Sequence, residues 1–171
     1  MIMKKIFLIL TVSFFTIIST QAQKFAYVDT EYILNRTPEF KQAQDKLDAL
    51  ASDWQKEIEN QYADVEKMYR AYQQEQVLLT EEMKKKREEA IINKESNAKK
   101  LQQRYFGPEG ELYLKRQELV KPIQDKVYDA IQQLAANNKY QVIFDSSSDI
   151  IMLYKNNNLD KSDKVLELMG Y

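Results

Sequence analysis

The chain has 171 residues, 25 basic and 26 acidic, with no cysteine and no histidine, and 30% of its residues are charged. Without cysteine there is no disulfide, thiol chemistry or lipid anchor on a cysteine. Without histidine, imidazole catalysis, Ser-His triads and nearly all zinc and di-iron bundle sites fall away.

The N-terminus reads as an export signal. Lys4 and Lys5 precede an apolar run from Ile6 to Ile18, and Ser19-Thr20-Gln21-Ala22 supplies the small residues of a cleavage site. Residues 1–22 are therefore expected to be a cleaved signal peptide, with a periplasmic destination for a cysteine-free product. Removing two lysines takes the formal charge from −1 to −3, which argues against nucleic-acid binding.

Phe25-Ala26-Tyr27-Val28 alternates like a short strand, and a helical turn over Thr30–Asn35 follows. Thr37-Pro38-Glu39 reads as a helix start, with Thr37 at the N-cap. From Phe40 onward one stripe is apolar or aromatic at steps of three or four, with only Gln76 polar at its place: Ala43, Leu47, Leu50, Trp54, Ile58, Tyr62, Val65, Tyr69, Tyr72, Leu79 and Met83. Such a stripe predicts a long helix, solvated on most of its surface, that needs a partner along one seam. The step pattern becomes four-four between Trp54 and Tyr62, a stutter in coiled-coil terms. Thr80 carries a second N-cap signal and marks the tip of a hairpin.

The return helix is more polar, with Ala90, Ile91, Ala98 and Leu101 as a sparse seam, and it opens on the basic cluster Lys84, Lys85, Lys86 and Arg87. That cluster is either a solvated face paired with nearby glutamates or a basic tip that touches a membrane surface or acidic clients. Gly107-Pro108-Glu109-Gly110 interrupts the helix. Gly107, Pro108 and Gly110 are hinge candidates, because glycine tolerates unusual dihedrals and proline lacks an N–H. Helical spacing resumes from Leu112 to Leu134, with Pro122 expected to kink it, and Leu112 and Leu119 are expected beside Trp54 and Ile58. Tyr140–Phe144 and Ile150–Tyr154 read as a hairpin of strands around a polar turn. A final short helix, Asp163 to Met169, ends before Gly170.

The fold class is thus α+β: a small β-rich oligomerisation body (23–39 and 107–171) and a long projecting antiparallel α-helical hairpin (40–106). So small a sheet offers little core and open edges, which favours a homo-oligomer. Phe25, Tyr27, Val142, Phe144, Ile151 and Leu153 are the candidates for that body. Tyr69, Tyr72 and Met83 lie opposite the polar part of the return helix and are the candidates for contact with a client. Ser146-Ser147-Ser148 lacks the glycines of a nucleophile elbow, no Gly-rich phosphate loop is present, and no cofactor is implied. The reading is of a protein that is not an enzyme.

Several words in order, Phe25-Ala26-Tyr27-Val28-Asp29, Leu119-Val120-Lys121-Pro122-Ile123, Tyr140-Gln141-Val142-Ile143-Phe144-Asp145 and Leu159-Asp160-Lys161-Ser162-Asp163-Lys164-Val165-Leu166, resemble the Skp/OmpH family of periplasmic chaperones. The resemblance spans essentially the whole chain after the signal. It implies a homotrimer in which helical-hairpin tentacles enclose a cavity for unfolded outer-membrane proteins, held without ATP. Well-known relatives are strongly basic, whereas this chain is mildly acidic. The alternative is a structural or adaptor envelope protein that uses its hairpin as a coiled-coil docking element. A docking hairpin would carry an ordered apolar stripe at its tip, and the charged tip favours the chaperone.

Overall fold

The computed structural model describes residues 24–148 and 151–171; the expected signal peptide lies outside the described residues. Strand β1 (Phe25–Val28) leads into helix α1 (Thr30–Arg36). Asp29 caps α1 by accepting from the Tyr32 amide at 2.8 Å. Thr37 is not the side-chain cap of the next helix. Its buried hydroxyl instead donates to the Ile33 carbonyl at 2.9 Å, satisfying an acceptor at the end of α1. Pro38 then opens α2 (Pro38–Glu75), where its missing N–H costs nothing. No glycine or further proline occurs in α2, and its 38 residues reach about 57 Å at 1.5 Å each.

A 3₁₀ turn, Gln76–Leu78, ends the outward path. Thr80 caps α3 (Glu81–Phe106) by accepting from the Met83 amide at 3.3 Å. Cross-helix contacts run in opposite order along α2 and α3. Tyr105 donates to Glu57 at 2.8 Å, Tyr62 to Gln102 at 3.4 Å, Lys94 pairs with Asp64 at 3.3 Å, Tyr72 donates to Glu88, and Arg87 pairs with Glu75 at 3.1 Å. The two helices are therefore antiparallel. After the break at 107–110, α4 (Glu111–Asn138) continues the return path and packs on the first part of α2. It runs unbroken through Pro122 and ends on Lys139 in the left-handed region, φ 57°.

The chain has now gone out and back, so β2 (Val142–Asp145) meets β1 from the same side and pairs with it in parallel, Phe25 opposite Val142 and Val28 opposite Asp145. The other edge of β1 carries a single bridge, Tyr27 to Asp160, after which α5 (Ser162–Met169) closes the chain against α1 and α4. Gly170, at φ 92°, ends α5 in a conformation that costs other side chains more.

Two clusters form the core. Val28, Ile33, Val127, Ala130, Leu134, Val165 and Leu166 join β1, α1, α4 and α5. Ala43, Leu47, Val120 and Ile123 join the base of α2 to α4, with Phe40, Leu112 and Leu119 against them. Farther out the interior thins to Ile58, Ala98 and Tyr105, because α3 offers mostly Lys, Glu, Gln and Asn to the seam.

Asp145 ties β2 to α1. Its carboxylate accepts from the Thr30 amide (3.2 Å) and hydroxyl (2.6 Å) and from the Ser147 amide (3.0 Å) and hydroxyl (2.7 Å). Partial burial alone would raise its pKa, but these hydrogen bonds outweigh it and hold the group below its ordinary value of 3.8. A depressed carboxylate contributes stability that is present above the ordinary value and lost as pH falls through the folded one. Asp145→Asn should therefore flatten the fall of melting temperature with pH below about 4. An acid limb identical to that of the wild type would show that Asp145 does not couple folding to protons.

Candidate functional site

The chemistry of the described residues is that of surfaces. Among them no group of three or more His, Cys, Asp or Glu side chains could hold a metal ion, and no helix is long and apolar enough to cross a membrane. Three places stand out: the distal arm, the break at its base, and the open side of the body.

At the distal arm, Tyr69 and Met83 are each about half exposed. Tyr72 differs. It is half-buried and donates its hydroxyl to Glu88 across the hairpin, an interaction that raises its pKa, so it is tied into the packing of the arm. The basic cluster is largely neutralised by local acids, with Lys84 on Glu81 at 2.7 Å, Lys86 on Glu82 at 2.8 Å and Arg87 on Glu75 at 3.1 Å. Only Lys85 of the four has no ion-pair partner among the described residues. Exposed pairs of this kind contribute little to stability, but they cancel most of the local field.

The apex itself is apolar. Val77 and Leu78 are 85% and 84% exposed in the 3₁₀ turn, and Ile92 on α3 is also exposed. The sequence reading of a purely charged tip missed them. The signal was the run Val77-Leu78-Leu79 directly before the Thr80 cap: only Leu79 falls on the helical seam and stays half-buried, so Val77 and Leu78 are left off it in solvent.

At the break, the glycines do not serve unusual dihedrals. Gly107 (φ −64°) and Gly110 (φ −70°) adopt backbone angles open to any residue. Space is the constraint. A Cβ on Gly107 would lie 2.3 Å from the Gln103 carbonyl oxygen, and one on Gly110 2.8 Å from the carbonyl oxygens of Arg104 and Tyr105. Pro108 sits between them in a turn closed by the Gly110 amide on the Gly107 carbonyl at 2.9 Å. Trp54 lies at this level and stacks on Tyr105, centroids 4.7 Å apart and 6° from parallel, with Phe106 edge-on at 6.4 Å. Leu112 and Leu119, expected as neighbours of Trp54, lie instead on the Leu47 cluster.

On the body, Tyr27 is buried within its own chain with an unpartnered hydroxyl, whereas Phe25, Val142 and Phe144 are partly exposed along the strands. The expected strand over Ile150–Tyr154 is corrected. Residues 151–154 form no strand, Ile150 lies outside the described residues, and β2 takes β1 as its partner. Asp145 and Ser148 close a local turn, Ser148 donating to the Asp145 carbonyl at 2.7 Å, and Ile151 and Leu153 are left 86% and 97% exposed.

Comparison with known proteins follows from this geometry. A solved structure from Caulobacter crescentus CB15, described in provisional terms as an outer membrane chaperone (OmpH-like), is similar with a TM-score of 0.69. The match covers 88% of this chain and 86% of that one at 13% identity, a likeness of fold. No curated protein matches the chain. The family model for outer membrane protein (OmpH-like) matches residues 24–169, from β1 to the end of α5. The chain belongs to the outer membrane protein (OmpH-like) family.

Proposed function

We propose that this protein is an ATP-independent periplasmic holdase, exported by cleavage of residues 1–22, whose helical arms hold unfolded outer-membrane proteins. The observation that carries the reading is the distribution of apolar surface along the arm. The base is held by a packed cluster, with Tyr113, Leu114 and Tyr128 exposed on the outside of α4, and Tyr69, Val77, Leu78, Met83 and Ile92 are exposed farther out, where no such cluster lies beneath them. An aliphatic side chain fully removed from water contributes about 1.5–3 kcal/mol, so each contact is weak. Several arms on one body would raise the effective concentration of such contacts without a deep pocket.

The body supplies the means of joining arms. Among the described residues the sheet has two strands, with β2 on an outer edge, and Ile151, Leu153 and Tyr154 are exposed in the segment that follows it. Unpaired backbone and strand-forming side chains in one place suit pairing between copies, and a homotrimer is the assembly the family implies. Light scattering should give a multiple of the chain mass, and an unfolded barrel precursor should add one client to it without aggregation. Removing about residues 62–97 should leave the oligomer intact and abolish client binding, whereas Phe144→Asp should dissociate it, since Phe144 is exposed in the single chain and a charge there would be buried unpaired only between copies. A folded, monomeric arm-deleted chain would place assembly in the arms and overturn this part of the reading.

The exposed pair Val77 and Leu78 favours a second reading, a hairpin that docks end-on into a partner coiled coil. The two readings separate on client breadth: a holdase protects unrelated barrel precursors, and a docking element protects none.

A further inference from the structure

Helix α2 passes the level of residues 107–110 without a break of its own, while the return path is cut there into α3 and α4. The hairpin at this level is one continuous rod beside one divided rod. Two contacts tie the end of α3 to the continuous rod, and a third bridges the cut. Trp54 on the continuous rod lies flat on Tyr105, the last buried side chain of α3. The Tyr105 hydroxyl donates to Glu57, one turn along α2 from Trp54, at 2.8 Å. Arg104 Nε donates to Glu111 Oε1 at 2.6 Å, linking the end of α3 to the start of α4, and its guanidinium lies 5.4 Å from the Tyr105 ring centroid.

The turn also borders a groove of about 550 Å³ whose lining includes Pro108, Leu114 and the Arg104–Glu111 pair itself. Movement of α3 away from α2 is opposed by the stack and the bond to Glu57, and movement across the cut by the Arg104–Glu111 pair. Sharp bends in long helical elements need an identifiable cause, and here the cause is confined to one strand of the hairpin.

We propose that Trp54 and Tyr105 form a latch that fixes the angle of the distal arm on its base, with α2 as the bending leaf and Gly107–Gly110 as the joint. The latch is a property of the arm alone and stands whatever the arm holds. Opening it separates the stacked rings, breaks the bond to Glu57 and lets α3 pivot against α4, while the backbone of α2 stays hydrogen-bonded throughout. The absence of space for a Cβ at either glycine sets the closed angle.

The chain lends itself to a direct test, because it contains no cysteine and one tryptophan. Spin labels on Gln73→Cys near the apex and Gln132→Cys in the body, diluted with unlabelled chain, report the spread of arm angles. The wild type should give one narrow distance distribution. Trp54→Ala should broaden it, raising the population of swung arms about 2- to 10-fold, the factor that loss of an aromatic pair supports. Gly107→Ala should shift the mean distance, since the Gln103 carbonyl must move. Tyr105→Phe and Arg104→Gln remove no packed volume and should each broaden the distribution by less. In the wild type, Trp54 emission should change in step with any treatment that moves the mean distance. Equal widths for the wild type and a folded Trp54→Ala overturn the latch. Should Trp54→Ala lose helicity, equal widths in Tyr105→Phe and Arg104→Gln overturn it in the same way.

Discussion

Ile33→Ala should lower the unfolding free energy by about 2–5 kcal/mol, the range for truncating a fully buried aliphatic side chain. Ile33 has no exposed surface, and it sits where β1, α1, α4 and α5 meet, among Val28, Val127, Leu134 and Val165. The loss is large relative to the whole. A domain of this size is stable by about 5–15 kcal/mol, and the described residues form two small buried clusters, one in the body and one at the base of the arm. Neighbours cannot close the gap easily, because Thr37 is fixed by its bond to the Ile33 carbonyl and Ser162 accepts from the Asp29 amide at 2.9 Å. Ile92→Ala, on an exposed face of α3, should stay within about 0.5 kcal/mol. Denaturant midpoints at one fixed protein concentration separate the two, since assembly would otherwise add its own dependence. Equal midpoints would mean that the chain is not held together at this cluster.

How far the sequence discloses this structure depends on whether a feature is local. Pro38 at the start of α2, the Thr80 cap, the break at Gly107–Gly110 and Gly170 after α5 are each set by the backbone chemistry of one or two residues, and each is legible in the chain. Partners are another matter. The seam of α2 says which face is apolar, but the register of two antiparallel helices depends on both, so Trp54 finds Tyr105 and not Leu112. Thr37 shows the same limit on a smaller scale. It has the residue type and place of an N-cap, and the Ile33 carbonyl takes its hydroxyl instead.

The strands illustrate it most clearly. Both Tyr140–Phe144 and Ile150–Tyr154 look like strands, and a polar turn between them suggests a hairpin. The structure pairs Val142–Asp145 with β1, over a hundred residues away, because the out-and-back path of the helices delivers them side by side. Ile151–Tyr154 forms no strand among the described residues. Of the surface residues singled out, Tyr69 and Met83 are exposed, Tyr72 is engaged with Glu88, and Val77 and Leu78 emerge only when the turn between the helices is seen. A periodic pattern identifies residues that want burial. It does not identify those denied it.

Replacing Tyr69, Val77, Leu78 and Met83 together by serine should leave the melting temperature nearly unchanged while suppression of barrel-precursor aggregation falls steeply. All four lie on the distal arm and are exposed by about half or more, so little folded-state burial is lost. Surface changes of this kind usually stay within about 0.5 kcal/mol each. Binding is different. If each side chain loses about 1 kcal/mol of client contact, four on one arm weaken its grip by about three orders of magnitude, and linked arms compound the loss. Tyr72→Phe serves as the internal control: it removes the bond to Glu88 without removing the ring, and client protection should be retained. Salt supplies a second axis. The basic side chains beside the apex are mostly paired with Glu75, Glu81 and Glu82, so raising ionic strength should change client protection little. A steep loss of protection with salt, and none on serine substitution, would move the client contact from the aliphatic apex to Lys85 and its neighbours. An early-melting quadruple variant that still protects clients would show these side chains to be packing residues, and the holding surface would have to lie nearer the body.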